Sequence, residues 1–312
     1  MTKQITYWSE TPLLIAVGTG HSHRFVEKLM KRIVDIGAKE KLFVNSSNGS
    51  NALHYAAKVG NTTAARLLVE QNPDMTRVMN SFGNTPLKLA AYHGNKETLK
   101  YLLTVTPDLR PGEEGRSSYT GVDGGDLVTL AITAGFYDVA LDIIDLYPEI
   151  VLEYDRNDQT ALQVLALKPD PFPSGNILGF WGRVIYSSPT IKNIHDLKVN
   201  DNLTRLLVKR ICKTVIGKAD HDIIWKILGS AITTAVQYEA YELIEECIVT
   251  YPSIIWYDVG GFYLFHAAIK HRQERVYNLV YQMSGHKVFM ATHIDENIAN
   301  VFRNSYFRIP RN

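Results

Sequence analysis

The sequence predicts an all-α solenoid of repeated helix-turn-helix units with an irregular insert in the middle. In four units a polar anchor residue is followed, twenty-two positions later, by proline, at Pro73, Pro107, Pro148 and Pro252. Glycine lies nine positions after several anchors, at Gly20, Gly60, Gly94 and Gly135. A fixed spacing of this kind indicates a repeat architecture, and repeat proteins usually bind other macromolecules.

The anchors are expected to begin the first helix of each unit. They are Thr11, Asn51, Thr85, Asp126, Thr160 and Ser230. Their side-chain oxygens can accept a hydrogen bond from a free backbone N–H in the first turn. Pro12 and Pro86 follow two of them at the first helical position, where proline removes no needed donor. The glycine is expected to adopt the left-handed conformation that ends a helix of about two turns.

A second helix is expected between the glycine and the proline. In the unit that begins at Asn51, apolar residues recur at Ala64, Ala65, Leu68 and Val69. This spacing predicts a helix with a single apolar face. The helix should end before the proline, because proline lacks an N–H and clashes with the preceding turn.

Two units resemble the ankyrin repeat, whose signature is Thr-Pro-Leu-His-x-Ala over about 33 residues. Thr85-Pro86-Leu87 matches the start of the signature, and Leu53-His54 matches its middle. The signature histidine is present only at His54 and His266, and Lys88 stands in its place after Thr85. The resemblance implies a stack of helix pairs with loops that project from one side.

Other stretches resemble one subgroup, the plant ankyrin proteins of the accelerated-cell-death and salt-tolerance type. They are Tyr147-Pro-Glu-Ile, Tyr251-Pro-Ser-Ile and Leu264-Phe-His-Ala-Ala-Ile-Lys-His-Arg. The resemblance implies a role in plant stress or defence signalling. It also implies a C-terminal domain of transmembrane helices with a Pro-Gly-Gly motif, and the sequence ends before any such domain.

The repeats are expected to form two arrays. Residues 1–167 should hold about five repeats, and residues 223–297 about two. Residues 168–222 are predicted to be a Pro-rich insert followed by a basic amphipathic helix. That helix either covers the core with a solvated charged face or docks to an acidic partner or membrane surface. Residues 298–312 are expected to be a truncated repeat or a frayed tail.

Composition narrows the class of function. The chain has 33 Lys and Arg residues against 32 Asp and Glu, a net charge of +1, so a nucleic-acid partner is not expected. Cys212 and Cys247 are too few for a disulfide framework or a cysteine-based zinc site. No stretch approaches the roughly 18–20 apolar residues that span a bilayer. A cytoplasmic location, peripheral to a membrane only through partners, is therefore expected.

Sites of chemistry are not evident, so no enzyme activity, cofactor or metal is predicted. The glycine-rich stretch Gly112–Gly125 lacks the Gly-Lys-Ser/Thr of a phosphate loop and predicts an insertion loop. Ser117 and Ser118 within it are candidate modification sites, with an inert loop as the alternative. His21 and His23 have ligand-type side chains but no third and fourth ligand at a suitable spacing.

The candidate binding residues lie on the predicted loops and near the ends of first helices. By the resemblance, these loops project as fingers and form a concave surface with the first helices. The candidates are Phe82, Asn84, Tyr92, His93, Phe136, Tyr137, Arg156 and Asn157. Phe82, Tyr92 and Arg156 are preferred, since aromatic residues and arginine tend to dominate interface energies. The alternative for each is that it covers the neighbouring repeat.

The sequence thus predicts a non-catalytic scaffold that binds other proteins. The first alternative is a cytosolic regulator that associates with membrane-anchored relatives. The second is a small-molecule sensor or enzyme that uses the insert around Trp181, since fold alone does not determine function.

Overall fold

A computed structural model describes residues 6–7, 9–19, 23–108, 117–168, 191–259 and 263–279. Within these ranges the chain forms α-helices and short 3-10 helices without any strand, which confirms the all-α prediction. The chain divides into two compact units, residues 1–150 and 151–312. The division into two repeat arrays with an insert at 168–222 stays a prediction. Gly20, residues 169–190 of the insert and the tail at 298–312 lie outside the described residues.

The described residues of unit 1 form four helix pairs. They are α1 (Pro12–Gly18) with α2 (His23–Asp35), α3 (Ala52–Val59) with α4 (Thr62–Gln71), α5 (Pro86–Tyr92) with α6 (Lys96–Val105), and α7 (Gly121–Thr133) with α8 (Tyr137–Leu146). The first helices contact one another in chain order, and so do the second helices. Short 3-10 helices follow several pairs, at Lys39–Phe43, Pro73–Arg77 and Pro148–Leu152. The predicted helix-turn-helix units are therefore present.

Unit 2 has the same kind of arrangement within itself. Its described helices are α9 (Ala161–Ala166), α10 (Ile191–Lys218), α11 (His221–Tyr238), α12 (Tyr241–Thr250), α13 (Leu264–Lys270) and α14 (Glu274–Asn278), with a 3-10 helix at Pro252–Trp256. The first helices α9, α11 and α13 contact in order, and the second helices α10, α12 and α14 do the same. His266 is buried on α13, three residues after Tyr263, as His54 is three residues after Asn51.

Four of the six predicted helix starts are correct. The side chains of Thr11, Asn51, Thr85 and Thr160 each accept a hydrogen bond from the backbone N–H three residues later. At Asn51 and Thr160 the bond is reciprocated by the side chain of the third residue, His54 or Gln163. These capping boxes satisfy two backbone donors that the helix cannot satisfy itself.

The predicted starts at Asp126 and Ser230 are wrong. Asp126 lies inside α7, which begins at Gly121, and Ser230 lies inside α11, which begins at His221 after the cap Asp220. The glycine-rich stretch is therefore helical from Gly121 onward and not a loop as far as Gly125. A Cβ atom on Gly124 would lie 2.6 Å from the backbone of Tyr119, so only glycine fits there.

The glycine and proline predictions describe the turns correctly. Gly60, Gly94 and Gly135 have positive φ angles of 76°, 70° and 77°. The second helices end two residues before Pro73, Pro107, Pro148 and Pro252. The left-handed glycine thus ends the first helix where it is present, and the proline prevents the second helix from continuing.

Asn95 joins two adjacent repeats at the end of α3. Its side-chain amide donates to the carbonyl oxygens of Ala57 and Lys58, at 2.8 and 2.9 Å. A Cβ atom on Gly60 would lie 2.7 Å from Asn95 Oδ1, whereas one on Gly94 would meet no atom within 4 Å. Gly60 is therefore constrained by its conformation and by a neighbour, and Gly94 by its conformation alone.

Lys88, in the place of the signature histidine, forms a buried ionic cluster with the next repeat. Its ammonium group lies 3.3 Å from Asp123 Oδ1 and also contacts Asp126 Oδ2. All three residues are buried. Because removing one partner of such a cluster leaves a buried charge, the cluster fixes how the third and fourth repeats meet.

The predicted basic amphipathic helix packs against neighbouring helices as a second helix of a repeat does. α10 contacts α9 and α12, as a second helix would. Beyond residue 201 its buried apolar residues are Leu207, Val208, Ile211, Cys212 and Val215, whereas Leu206 is 48% exposed. The Sγ atoms of Cys212 and Cys247 lie 3.7 Å apart between α10 and α12.

Gly60→Ala should destabilise the protein more than Gly94→Ala. Both changes place alanine at a positive φ, at a cost of about 1–2 kcal/mol. Gly60→Ala also displaces the Asn95 amide and its two hydrogen bonds, which should add about 1–2 kcal/mol. Urea denaturation followed by circular dichroism measures the difference. The extra cost should vanish in an Asn95→Ala background, and its persistence there would refute the proposed clash.

Lys88→Met should destabilise the protein by about 3–5 kcal/mol, because Asp123 and Asp126 remain buried without the ammonium group. Adding Asp123→Asn and Asp126→Asn should recover much of this loss, since the buried charges are then removed together. Denaturation midpoints of the single and triple variants test this. A Lys88→Met protein as stable as the original would show that the cluster does not hold the two repeats together.

Candidate functional site

The loops of unit 1 form two fingers with the same turn, residues 46–50 and 80–84. In each, the first residue's backbone N–H donates to the carbonyl of the last, from Ser46 to Ser50 at 2.9 Å and from Asn80 to Asn84 at 3.1 Å. The fourth residue is glycine with a positive φ angle in both. The side chain of Asn80 also accepts from the N–H groups of Phe82 and Asn84, each at 3.0 Å.

The two fingers are hydrogen-bonded to each other. The backbone N–H of Ser81 donates to the Asn48 carbonyl at 2.9 Å, and Asn80 Nδ2 donates to Ser50 Oγ at 3.2 Å. Phe82 lies at the tip of the second finger and is 65% exposed. The backbone that carries this exposed aromatic side chain is thus held from both sides.

His54 connects the second finger to the start of α3. Its Nε2 donates to the carbonyl oxygen of Asn84 at 3.0 Å, and its Nδ1 accepts from the backbone N–H of Asn51 at 3.2 Å. Burial lowers the pKa of His54 to about 4, against the smaller opposing effect of the Asn84 carbonyl. The imidazole is therefore neutral at physiological pH.

A concave groove with a volume of about 460 Å³ lies between the fingers and the first helices. We name it the finger groove. The fingers contribute Asn48, Ser50, Asn80, Phe82 and Asn84. The helices α3 and α5 contribute His54, Tyr55, Lys58, Leu89 and His93, and Glu10 lines the groove before α1. Its size is within the range of small-ligand and peptide-side-chain pockets.

The charged groups of the finger groove differ in their hydrogen-bond partners and in their exposure to solvent. Glu10 accepts hydrogen bonds from Tyr55 Oη at 2.7 Å and Thr6 Oγ1 at 2.8 Å. Burial and the Glu10 carboxylate raise the pKa of Tyr55 to about 12. Lys58 is exposed, and burial together with the charge of Lys58 lowers the pKa of His93. The groove therefore has a hydrogen-bonded anion and a separate cationic site.

Three of the predicted contact residues line this groove: Phe82, Asn84 and His93. Tyr92 does not line it. Its ring is 68% exposed and makes a T-shaped contact with the His93 ring at a centroid distance of 5.2 Å. Glu10 and Tyr55 were missed, because their contact joins residues 45 positions apart and leaves no local pattern.

Phe136 and Tyr137 do not form an exposed contact pair. Tyr137 is only 6% exposed at the start of α8, so its side chain offers little surface to a partner. Phe136 is half-buried, and its ring lies 5.7 Å from the Lys96 ammonium group. Both side chains therefore mainly contact other residues of the helix stack.

Arg156 and Asn157 are exposed on a finger of unit 2, residues 155–159. This finger has the same turn, because Asp155 Oδ1 accepts from the N–H groups of Asn157 and Gln159 at 2.8 and 2.9 Å. A role for these two side chains in binding stays a prediction.

The candidate modification sites lie just before α7. Ser117 Oγ donates to Asp108 Oδ1 at 2.6 Å and accepts from the Tyr119 N–H at 2.9 Å. The Tyr119 ring stacks on Tyr147 with centroids 3.8 Å apart. Ser117 is thus part of the turn that positions a buried tyrosine, and modification of Ser117 or Ser118 stays a prediction.

In the described parts of the chain, no cluster of three or more His, Cys, Asp or Glu side chains is arranged to hold a metal ion. Over the same residues, no helix combines the length and apolar character needed to cross a membrane.

Comparison with known proteins agrees with the geometry. A family profile described as ankyrin repeats in three copies matches residues 13–112. Residues 13–112 are ankyrin repeats. The ankyrin repeat domain of Bcl-3, a solved structure, matches 87% of this chain and 98% of its own length with a TM-score of 0.53 and 16% identity. The fold class is therefore the all-α ankyrin solenoid.

Curated relatives share part of the chain. The mouse and rat proteins named ankyrin repeat and SAM domain-containing protein 6 are 36% identical over 96 residues, 31% of this chain and 10% of each relative. A putative ankyrin repeat protein of Rickettsia bellii is 35% identical over 75 residues, 24% of this chain and 40% of its own length. The chain thus spans well under half of these relatives. Ankyrin repeats are typically non-catalytic modules that bind other proteins.

Acidification should weaken the fold through His54. Its folded-state pKa of about 4 lies below the ordinary value of about 6.5, so the unfolded chain binds the proton more readily. The stabilisation is complete above about pH 6.5 and is lost as the pH falls towards 4, by about 3 kcal/mol. Urea denaturation at pH 7.5 and 4.5 measures most of this change.

His54→Gln is the matched control, because Gln163 makes the same capping box after Thr160 in this chain. The glutamine variant should lose about 2–3 kcal/mol less stability than the original protein over the same pH interval. Equal losses in the two proteins would show that His54 does not titrate with a lowered pKa.

Proposed function

We propose that this chain is a non-catalytic scaffold and that the finger groove of unit 1 receives a segment of a partner protein. The exposed Phe82 at the rim of the groove carries the proposal. A large aromatic side chain beside a concave surface is a frequent anchor of binding energy. Ankyrin repeats supply the context, since their fingers and first helices form a shared surface.

The hydrogen bonds between the fingers support this proposal. They fix the backbone around Phe82 before any partner arrives. Binding then orders little of this chain, so the loss of conformational entropy opposes binding less. None of the groove's exposed side chains is needed to bury the core, so they can vary without disturbing the stack.

The biological setting rests on sequence resemblance alone. The stretches shared with plant ankyrin proteins of the accelerated-cell-death and salt-tolerance type favour stress or defence signalling in the cytoplasm. They also favour membrane-anchored relatives as partners. The comparisons, by contrast, name mammalian and bacterial proteins and add no support for a plant pathway.

Proximity labelling in plant cells tests the groove as a binding surface. The bait is the full chain, beside Phe82→Ala and the control Leu146→Ala. Leu146 is 61% exposed on α8 and does not line the groove. We expect a defined set of labelled proteins that is lost with Phe82→Ala and kept with Leu146→Ala, because truncating an anchor residue weakens binding by at least about tenfold.

Melting temperatures of the three baits should agree, which excludes unfolding as the cause. A labelled set that neither change alters, or that both remove, would count against binding through the finger groove. Recovery of mainly membrane-anchored relatives would identify them as the partners.

A further inference from the structure

The finger groove has a cationic site where two first helices end. Lys58 lies in the last turn of α3, and His93 follows the last residue of α5. Among the described residues, no carboxylate lies within ion-pair distance of the Lys58 ammonium group. Both side chains line the same groove. An acidic group placed there would meet an ammonium charge and an imidazole N–H together.

The position and the protonation state of the His93 imidazole suit such a contact. Its ring packs against the Tyr92 ring in a T-shaped contact, with a centroid distance of 5.2 Å. Burial and the nearby Lys58 both favour its neutral form. A neutral imidazole donates one hydrogen bond without adding a second positive charge that would repel Lys58.

The other residues of the groove favour one orientation of a bound ligand. Glu10, already hydrogen-bonded by Tyr55 and Thr6, disfavours a second carboxylate beside it. Phe82 and Leu89 offer apolar contact. An acidic residue is thus accepted beside Lys58 and His93 and rejected beside Glu10.

We infer that the finger groove selects an extended peptide segment whose Asp or Glu side chain lies between Lys58 and His93, with an apolar side chain against Phe82. This inference rests on the proposed function and adds the chemistry of the partner. Charge complementarity with Lys58 selects a carboxylate, while Phe82 supplies the apolar anchor.

Selection from a phage-displayed library of random 12-residue peptides tests the inference on the full chain. The original protein should enrich sequences with Asp or Glu at one position next to an apolar residue. Lys58→Glu should remove that enrichment and favour Lys or Arg there. Lys31→Glu is the matched control, because Lys31 is exposed on α2 and does not line the groove.

Synthetic peptides then give the size of the effect. Replacing the selected Asp or Glu by its amide should weaken binding about fivefold, as expected for one exposed ion pair, and Lys58→Glu should weaken it about tenfold. Lys31→Glu should leave the affinity unchanged.

The outcomes separate this inference from the proposed function. Peptides that bind only when Phe82 is present, but show no acidic preference or keep it in Lys58→Glu, would overturn the inference and leave the groove as a binding site. A selection that yields no peptide dependent on Phe82 would overturn both.

Discussion

Each helix pair buries its apolar side chains only against the pairs before and after it, and this requirement organises both units. In the second helices of unit 1, Leu68, Leu102 and Ile143 are fully buried. Neighbouring repeats supply that burial, since a single two-helix unit has too little interior of its own. The first and second helices therefore form parallel rows, and the fingers project from the ends of one row.

Stacking also brings polar backbone groups together, and different residues satisfy them at equivalent places. In unit 1, Asn95 donates to carbonyls at the end of α3, and in unit 2 Gln273 donates to Val236 near the end of α11. His54 and Lys88 occupy the same signature position, yet one binds a finger carbonyl and the other two carboxylates. The position requires a buried, hydrogen-bonded side chain more than it requires histidine.

Local chemistry made most of the fold predictable. A cap, a left-handed glycine or a proline acts within a few residues, so Thr85, Gly60 and Pro73 could be assigned from sequence spacing. Asp126 was misassigned because its partner, Lys88, lies 38 residues away in another repeat. The burial of Tyr137 could not be predicted, since the sequence of a helix's first turn does not show which of its faces another element will cover.

The sequence could predict that the fingers and first helices form a binding surface. It could not predict the chemistry of the groove, since that depends on contacts between residues far apart in the sequence. His54 shows how closely that surface is tied to the fold. Its ring caps α3 on one side and holds the Asn84 carbonyl on the other, so the finger that carries Phe82 is fixed by a core residue. Lys58 and Phe82, by contrast, project from this frame and are not part of the core. Because the frame and the projecting side chains are different residues, specificity can change at Lys58 or Phe82 while the stack that positions them is preserved.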